Sequence, residues 1–105
     1  MERFIFIILW AITTNTYGQN LFRAVIRDGD TKEPLAGATG VIRGTSNGAS
    51  SDVNGYLEIM NIPDGEYVIV ISFVGYATLL KTYSFPLVQN IPEEILLASS
   101  AMEIE

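Results

Sequence analysis

Two residue types are missing altogether: the sequence has no cysteine and no histidine. The first absence excludes disulfides, thiolate metal sites and a lipidated cysteine anchor. The second removes the commonest metal ligand and the usual general base at neutral pH. Basic residues are scarce, with 6 Lys and Arg against 12 Asp and Glu and a formal net charge of −6. No Lys/Arg cluster is available to neutralise a row of phosphates, so nucleic acid is not expected as a partner. Helical periodicity is lacking throughout the body of the chain, and no stretch of low complexity or internal repeat divides it.

What is present is apolar: 49% of the 105 residues are hydrophobic and 17% charged, so the chain is expected to fold, as one domain with one core. The start reads as an address. Arg3 precedes the unbroken apolar run of residues 4–12, and a polar stretch follows with Thr16 and Gly18 as small residues. This is the grammar of a signal peptide over residues 1–18, with Gln19 as the new terminus after cleavage. The run is shorter than the roughly 20 residues of a spanning helix. No stable membrane span is therefore expected once it is removed. A buried terminal strand is the competing reading, but nothing later offers a partner for so aromatic a run. Cleavage would also remove Trp10, the only tryptophan. Export without disulfides leans toward a bacterial periplasm, with outer-membrane association or secretion as variants.

The body, residues 19–98, reads as short strands separated by turns, with 99–105 as a tail or the start of a linker. Residues 21–27 alternate, placing Phe22, Ala24 and Ile26 on one side. Asp28-Gly29-Asp30 ends that strand, and Pro34 and Gly37 belong to the turn chemistry that follows. Residues 38–43 resume a strand before Gly44-Thr45-Ser46-Asn47-Gly48. Residues 49–53 and 56–60 flank Asn54-Gly55, a strong two-residue hairpin signal, so 49–60 is expected to be a hairpin. Pro63-Asp64-Gly65 turns the chain into the β-branched run 66–73, expected to be a central strand with Tyr67, Ile69, Ile71 and Phe73 on its core face. Gly75 ends it and is expected at a backbone conformation closed to residues with Cβ. Strands over 77–83 and 91–97 follow, with a break at Ser84-Phe85-Pro86. Six or seven strands with turns every eight to twelve residues are the signature of an all-β antiparallel sandwich.

The order Asp28, Glu33-Pro34-Leu35-Ala36-Gly37-Ala38, Gly44-Thr45, Gly48, Ser51-Asp52, Gly55-Tyr56 and Ile71-Ser72-Phe73-Val74-Gly75-Tyr76 resembles the carboxypeptidase regulatory-like domain. The version ending in Phe-Val-Gly-Tyr is the kind found after the signal peptide of SusC-like TonB-dependent outer-membrane receptors. The resemblance covers about residues 21–97 and implies a transthyretin-like, immunoglobulin-like β-sandwich. Ala24, Ala49 and Ser51 depart mildly from the family pattern. The plug and barrel of such a receptor have no counterpart here, so transport is not carried over.

Chemistry-bearing patterns are few. Gly44-Thr45-Ser46-Asn47-Gly48 matches the G-x-S-x-G of hydrolase elbows, but that motif needs a following helix and a histidine. Glu93 and Glu94 are adjacent, so on a strand they point to opposite faces, and Pro92 beside them belongs to an edge. Asp28, Asp30, Asp52 and Asn54 lack calcium-loop spacing, and Asp28 and Asp52 are read as fixing turn geometry. With no base and nucleophile pair, the chain is read as non-catalytic, with no cofactor and no metal. Its leading reading is an exported interaction module that docks on an envelope protein, a transporter complex included, through Val68 and Val70 on the outer face of the central strand. The alternative is a carbohydrate-binding module stacking sugars on Tyr76, Tyr83 and Phe85. Asp28, Pro34, Gly37, Gly44, Gly48, Asp52, Gly55, Gly65 and Gly75 are assigned structural turn roles.

Overall fold

A computed structural model describes residues 19–89 and 91–100. The segment read from sequence as a signal peptide, with Trp10, and the tail beyond residue 100 lie outside the described residues. The strands are β1 (Asn20–Asp28), β2 (Thr39–Ile42), β3 (Gly48–Ser50), β4 (Tyr56–Ile62), β5 (Gly65–Ser72), β6 (Leu79–Phe85) and β7 (Glu93–Leu97). They form a three-stranded sheet in the order β4-β1-β7 and a four-stranded sheet in the order β3-β2-β5-β6. Among the described residues no helix is long and apolar enough to cross a membrane.

The period-2 alternation of β1 buries Phe22, Ala24 and Ile26, while β5 buries Ile69 and Ile71 against them from the other sheet. Each such aliphatic or aromatic side chain contributes about 1.5–3 kcal/mol on burial. In β4 the alternation breaks: Leu57 and Ile59 are buried, but the next core residue is Ile62. A β-bulge resolves the mismatch. Asn20 pairs with Ile62 and Phe22 with Ile59, and the extra residue is absorbed beside Asn61, which takes φ 61°. Asparagine tolerates that left-handed conformation better than most residues.

Three expectations need correction. Residues 49–60 do not form a hairpin: β3 pairs with β2, and β4 pairs with β1 in the other sheet. Only Gly55 takes positive φ, at 79°, whereas the two-residue hairpin turn needs it at both central positions. Asp52 shapes a wider turn instead, its Oδ1 accepting from the amides of Asn54 at 2.9 Å and Tyr56 at 3.0 Å. The sandwich is not wholly antiparallel either, because β7 crosses from the four-stranded sheet and runs parallel to β1. Third, β6 continues through Ser84 to Phe85, so the break falls after it.

Exposed strand edges invite pairing with other chains, and each of the four is blunted. β3 has three residues. β4 is bulged, and Asn47 Nδ2 donates to the Met60 carbonyl at 2.9 Å. Lys81 stands opposite Ile69 and so shares the inward face of β6. Glu93, opposite Ala24, does the same on β7. Inward-pointing charge on an edge strand resists the addition of another strand.

Gly75 takes φ 86° with open space where a Cβ would lie, whereas a Cβ at Gly55 would meet the Ile26 carbonyl oxygen at 2.5 Å. Gly75→Val therefore carries backbone strain alone and should destabilise by about 1–2 kcal/mol. Gly55→Val adds a backbone clash and should lose about 3 kcal/mol or more. Urea unfolding of both variants checks this, and equal losses would contradict it.

Candidate interaction surface

Register decides which side chains meet on the outer faces. Val41 of β2, Val70 of β5 and Leu80 of β6 are directly opposite one another, forming an apolar row across three strands. Val41 is 36% and Leu80 49% exposed, with Val70 half-buried between them. On one side of the row the hydroxyls of Thr39 and Ser72 hydrogen-bond at 3.0 Å. On the other side Val68 faces Thr82. Arg43 and Glu66 bound the face at one end. Gly48 is not a turn residue, as assigned from sequence, but the first residue of β3, opposite Val41. A Cβ there would lie 2.5 Å from the Gly40 carbonyl oxygen and 2.9 Å from Val41 Cγ2, so glycine is required for this close strand approach.

The outer face of the three-stranded sheet is different in kind. Arg23 is opposite Glu58, and Arg27 Nε lies 3.7 Å from Glu94 Oε2. These charges alternate with apolar positions, since Val25 lies opposite Tyr56 and Met60 is 57% and Leu96 42% exposed on the same face. Exposed ion pairs contribute only about 0–1 kcal/mol each.

The three aromatic residues assigned to sugar stacking do not share a surface. Phe85 is 5% exposed and belongs to the core, which removes it from any stacking platform. Tyr83 is half-buried, its ring 4.8 Å from Phe22, and its hydroxyl donates to Glu93 Oε1 at 3.5 Å. Burial, reinforced by the Glu93 charge, pushes the Tyr83 hydroxyl up to about 12. Lys81 Nζ lies 5.9 Å from the ring centre, so Lys81, Tyr83 and Glu93 together close the open side between the edge strands β6 and β7. Tyr76 sits at the far end of β6, in the β5–β6 connection, its ring 5.6 Å from Phe73.

Asp28 is the polar hub of that end. Its Oδ1 accepts from the amides of Asp30 at 2.7 Å and Thr31 at 2.9 Å, and its Oδ2 accepts from the Tyr76 hydroxyl at 2.6 Å. The Tyr76 bond, and then the amide bonds, hold the Asp28 carboxyl below its ordinary value, and the same hydroxyl bond raises Tyr76. Among the described residues no group of His, Cys, Asp or Glu is placed to hold a metal ion. The Gly44 to Gly48 segment joins two strands, and Thr45 Oγ1 closes it by donating to the Ile42 carbonyl at 2.9 Å. It is not the strand-to-helix elbow of a hydrolase.

Sequence reasoning missed two things. Ser51 is buried, donating to the Leu35 carbonyl at 2.6 Å and accepting from the Ala38 amide at 2.9 Å, which pins the β1–β2 connection to the chain leaving β3. Val41 and Leu80 were not joined to Val68 and Val70, because only cross-strand register brings them together.

The CarboxypepD_reg-like domain matches residues 23–105. The chain belongs to that family. Among solved structures it is similar to a chain of an interface mutant of the type II cohesin–X–dockerin complex from Acetivibrio cellulolyticus, at 27% identity and TM-score 0.50, over 78% of this chain and 53% of that one. This chain thus spans about half the length of that relative. It is also similar to the group B streptococcus pilus 2b backbone protein, at 17% identity and TM-score 0.59, over 77% of this chain and 41% of that one. The Bacillus anthracis TIE protein matches at 19% identity and TM-score 0.59, over 81% of this chain and 17% of that one. The last two likenesses are of fold alone. No curated protein matches the chain.

A lowered carboxyl pKa contributes stability above the unfolded value, here 3.8, and that contribution is lost as pH falls through the lower folded value. Tyr76→Phe removes the largest cause. The variant should be less stable than the parent at neutral pH, and the gap should shrink as the pH drops below 3.8. Urea unfolding across the acid range reads it; a gap that is constant with pH would contradict the assignment.

Proposed function

We propose that the chain is an exported, non-catalytic interaction module of a bacterial envelope, docking on an envelope protein through the outer face of β2, β5 and β6. The observation that carries this reading is the contrast between the two outer faces. One interleaves opposite charges with apolar residues, so that exposed Met60 and Leu96 stand on separate strands among Arg27, Glu58 and Glu94, and the other presents Val41, Val70 and Leu80 in a continuous row bounded by hydroxyls. Neutral, partly apolar sheet surface on a chain of net charge −6 is the kind of patch that protein partners cover. The blunted edges favour the face over strand addition as the contact. Val68 and Val70, singled out from sequence, both belong to this face.

Membership of the CarboxypepD_reg-like family, together with the resemblance to the domain that precedes the plug of SusC-like receptors, supports a partner in the outer-membrane transport machinery. The 27%-identical structure comes from a cohesin–X–dockerin complex, which supports a role in protein assembly. A carbohydrate platform on Tyr76, Tyr83 and Phe85 lacks a shared surface and stands behind this reading.

Val70→Asp in the tagged full-length chain, expressed in its native cells, should reduce recovery of the envelope partner at least about tenfold, as expected for the centre of an interface. The fold should lose only about 1 kcal/mol, the span of strand propensities. Glu58→Lys on the opposite face should leave recovery unchanged. Equal recovery with Val70→Asp and the parent chain would refute the assignment.

A further inference from the structure

Strand directions gather three connections at one end of the sandwich: β1–β2, β3–β4 and β5–β6, together with the chain's departure after β7. Hydrogen bonds tie them together. Gly37 N donates to the Ser51 carbonyl at 3.0 Å, Ala77 N to the Ala98 carbonyl at 2.8 Å, and Ser100 N to the Gly75 carbonyl at 3.0 Å. The Tyr76 hydroxyl donates to Asp28 across the two sheets. This end is a built surface and not a set of independent loops.

Two features of that surface are unused by the fold. Val53 is 78% and Val74 85% exposed, and neither belongs to the core. Beside Val74 lies a depression of about 410 Å³ lined by Gly37, Thr39, Ser72, Phe73 and Val74. Its floor is partly aromatic. Gly37 lies at its rim with φ 91°, a backbone conformation that favours glycine. The charge around this end is predominantly negative, although the Arg27 guanidinium also reaches it by donating to the Lys32 carbonyl at 3.1 Å. Asp30, Glu33 and Asp52 are exposed in the connections, and the single cation among them, Lys32, has its ammonium donating to the Gly29 carbonyl at 2.7 Å. The charges of Asp30 and Glu33 both reach the Tyr76 hydroxyl.

We infer that this end docks a protein segment of mixed apolar and basic chemistry, seating one apolar side chain against Phe73 and Val74 while flanking Lys or Arg side chains meet Asp30, Glu33 and Asp52. Electrostatic complementarity selects the occupant. An anionic membrane surface is repelled by the carboxylates, and so is a second copy of this chain with its own net charge of −6. The Thr39–Ser72 pair that borders the depression also borders the apolar row of the sheet face, so one extended partner can engage both. The binding itself does not rest on the sheet-face proposal.

The test is fluorescence anisotropy of the full-length chain with a labelled short peptide alternating lysine and leucine. The comparison peptides alternate lysine with serine and glutamate with leucine. The lysine–leucine peptide should bind at least about tenfold tighter than either comparison. Val74→Ser should weaken it more than about fivefold with an unchanged melting temperature, because the side chain touches solvent and not core. Asp30→Asn combined with Glu33→Gln should weaken it and flatten its salt dependence. Val70→Asp should leave it unchanged. Since no envelope protein is present, failure here leaves the sheet-face proposal standing. The inference is overturned if Val74→Ser binds like the parent chain, or if the lysine–serine peptide binds equally well, which would mean a diffuse acidic surface. Val74-dependent sedimentation with phosphatidylcholine vesicles, or Val74-dependent dimerisation, would overturn it as well.

Discussion

The inward face of β1 is the constraint on which the rest of the sandwich depends. Phe22, Ala24 and Ile26 have no solvent exposure, and β1 alone pairs on both sides within the three-stranded sheet. Its backbone also positions the loops: the Ile26 amide donates to the Gly55 carbonyl at 2.8 Å, and its carbonyl accepts from the Leu35 amide at 2.9 Å. Truncating a buried side chain in such a strand typically loses several kcal/mol, a large share of the stability of a domain this small. The β1–β2 connection, the β3–β4 turn and the place where Asp28 meets Tyr76 all follow from where β1 lies.

From that frame the two outer faces diverge, because the sandwich fixes which residues point inward and leaves the outward ones to other demands. On the three-stranded sheet the outward residues mix ion pairs with scattered apolar side chains, Met60 and Leu96 among them. On the four-stranded sheet, beyond Arg43 and Glu66 at one end, they are valine, leucine, threonine and serine, which cost little to desolvate. Inward charges at Lys81 and Glu93 discourage pairing along the edges, so association is directed to a face or an end. The interaction reading rests on this division.

Much of this was legible in the sequence where a signal was local. The alternation of 21–27 and the β-branched run 66–73 each announced a strand, its core face and, for β5, its central place. Asp28 and Asp52 announced turns. What was not legible depended on long-range pairing. Asn54-Gly55 is a local hairpin signal, yet β4 pairs with β1, where its Leu57, Ile59 and Ile62 enter the core, and tertiary packing overrode the turn. The bond between Asp28 and Tyr76 spans 48 residues. Phe85 looked like a break beside a proline and is a core ring, because the parity of β6 sends it inward with Tyr83. The apolar row was half visible: Val68 and Val70 follow from alternation within one strand, while Val41 and Leu80 join them only through register.

The central claim is that the four-stranded face, and not the charged face, meets a partner. Site-specific photo-crosslinking in the native cells tests it most directly, with the photoreactive residue placed at position 70 or, on the opposite face, at position 58. The account predicts a discrete adduct with an envelope protein from position 70 and none from position 58. No adduct from position 70, or the same adduct from both, would contradict it.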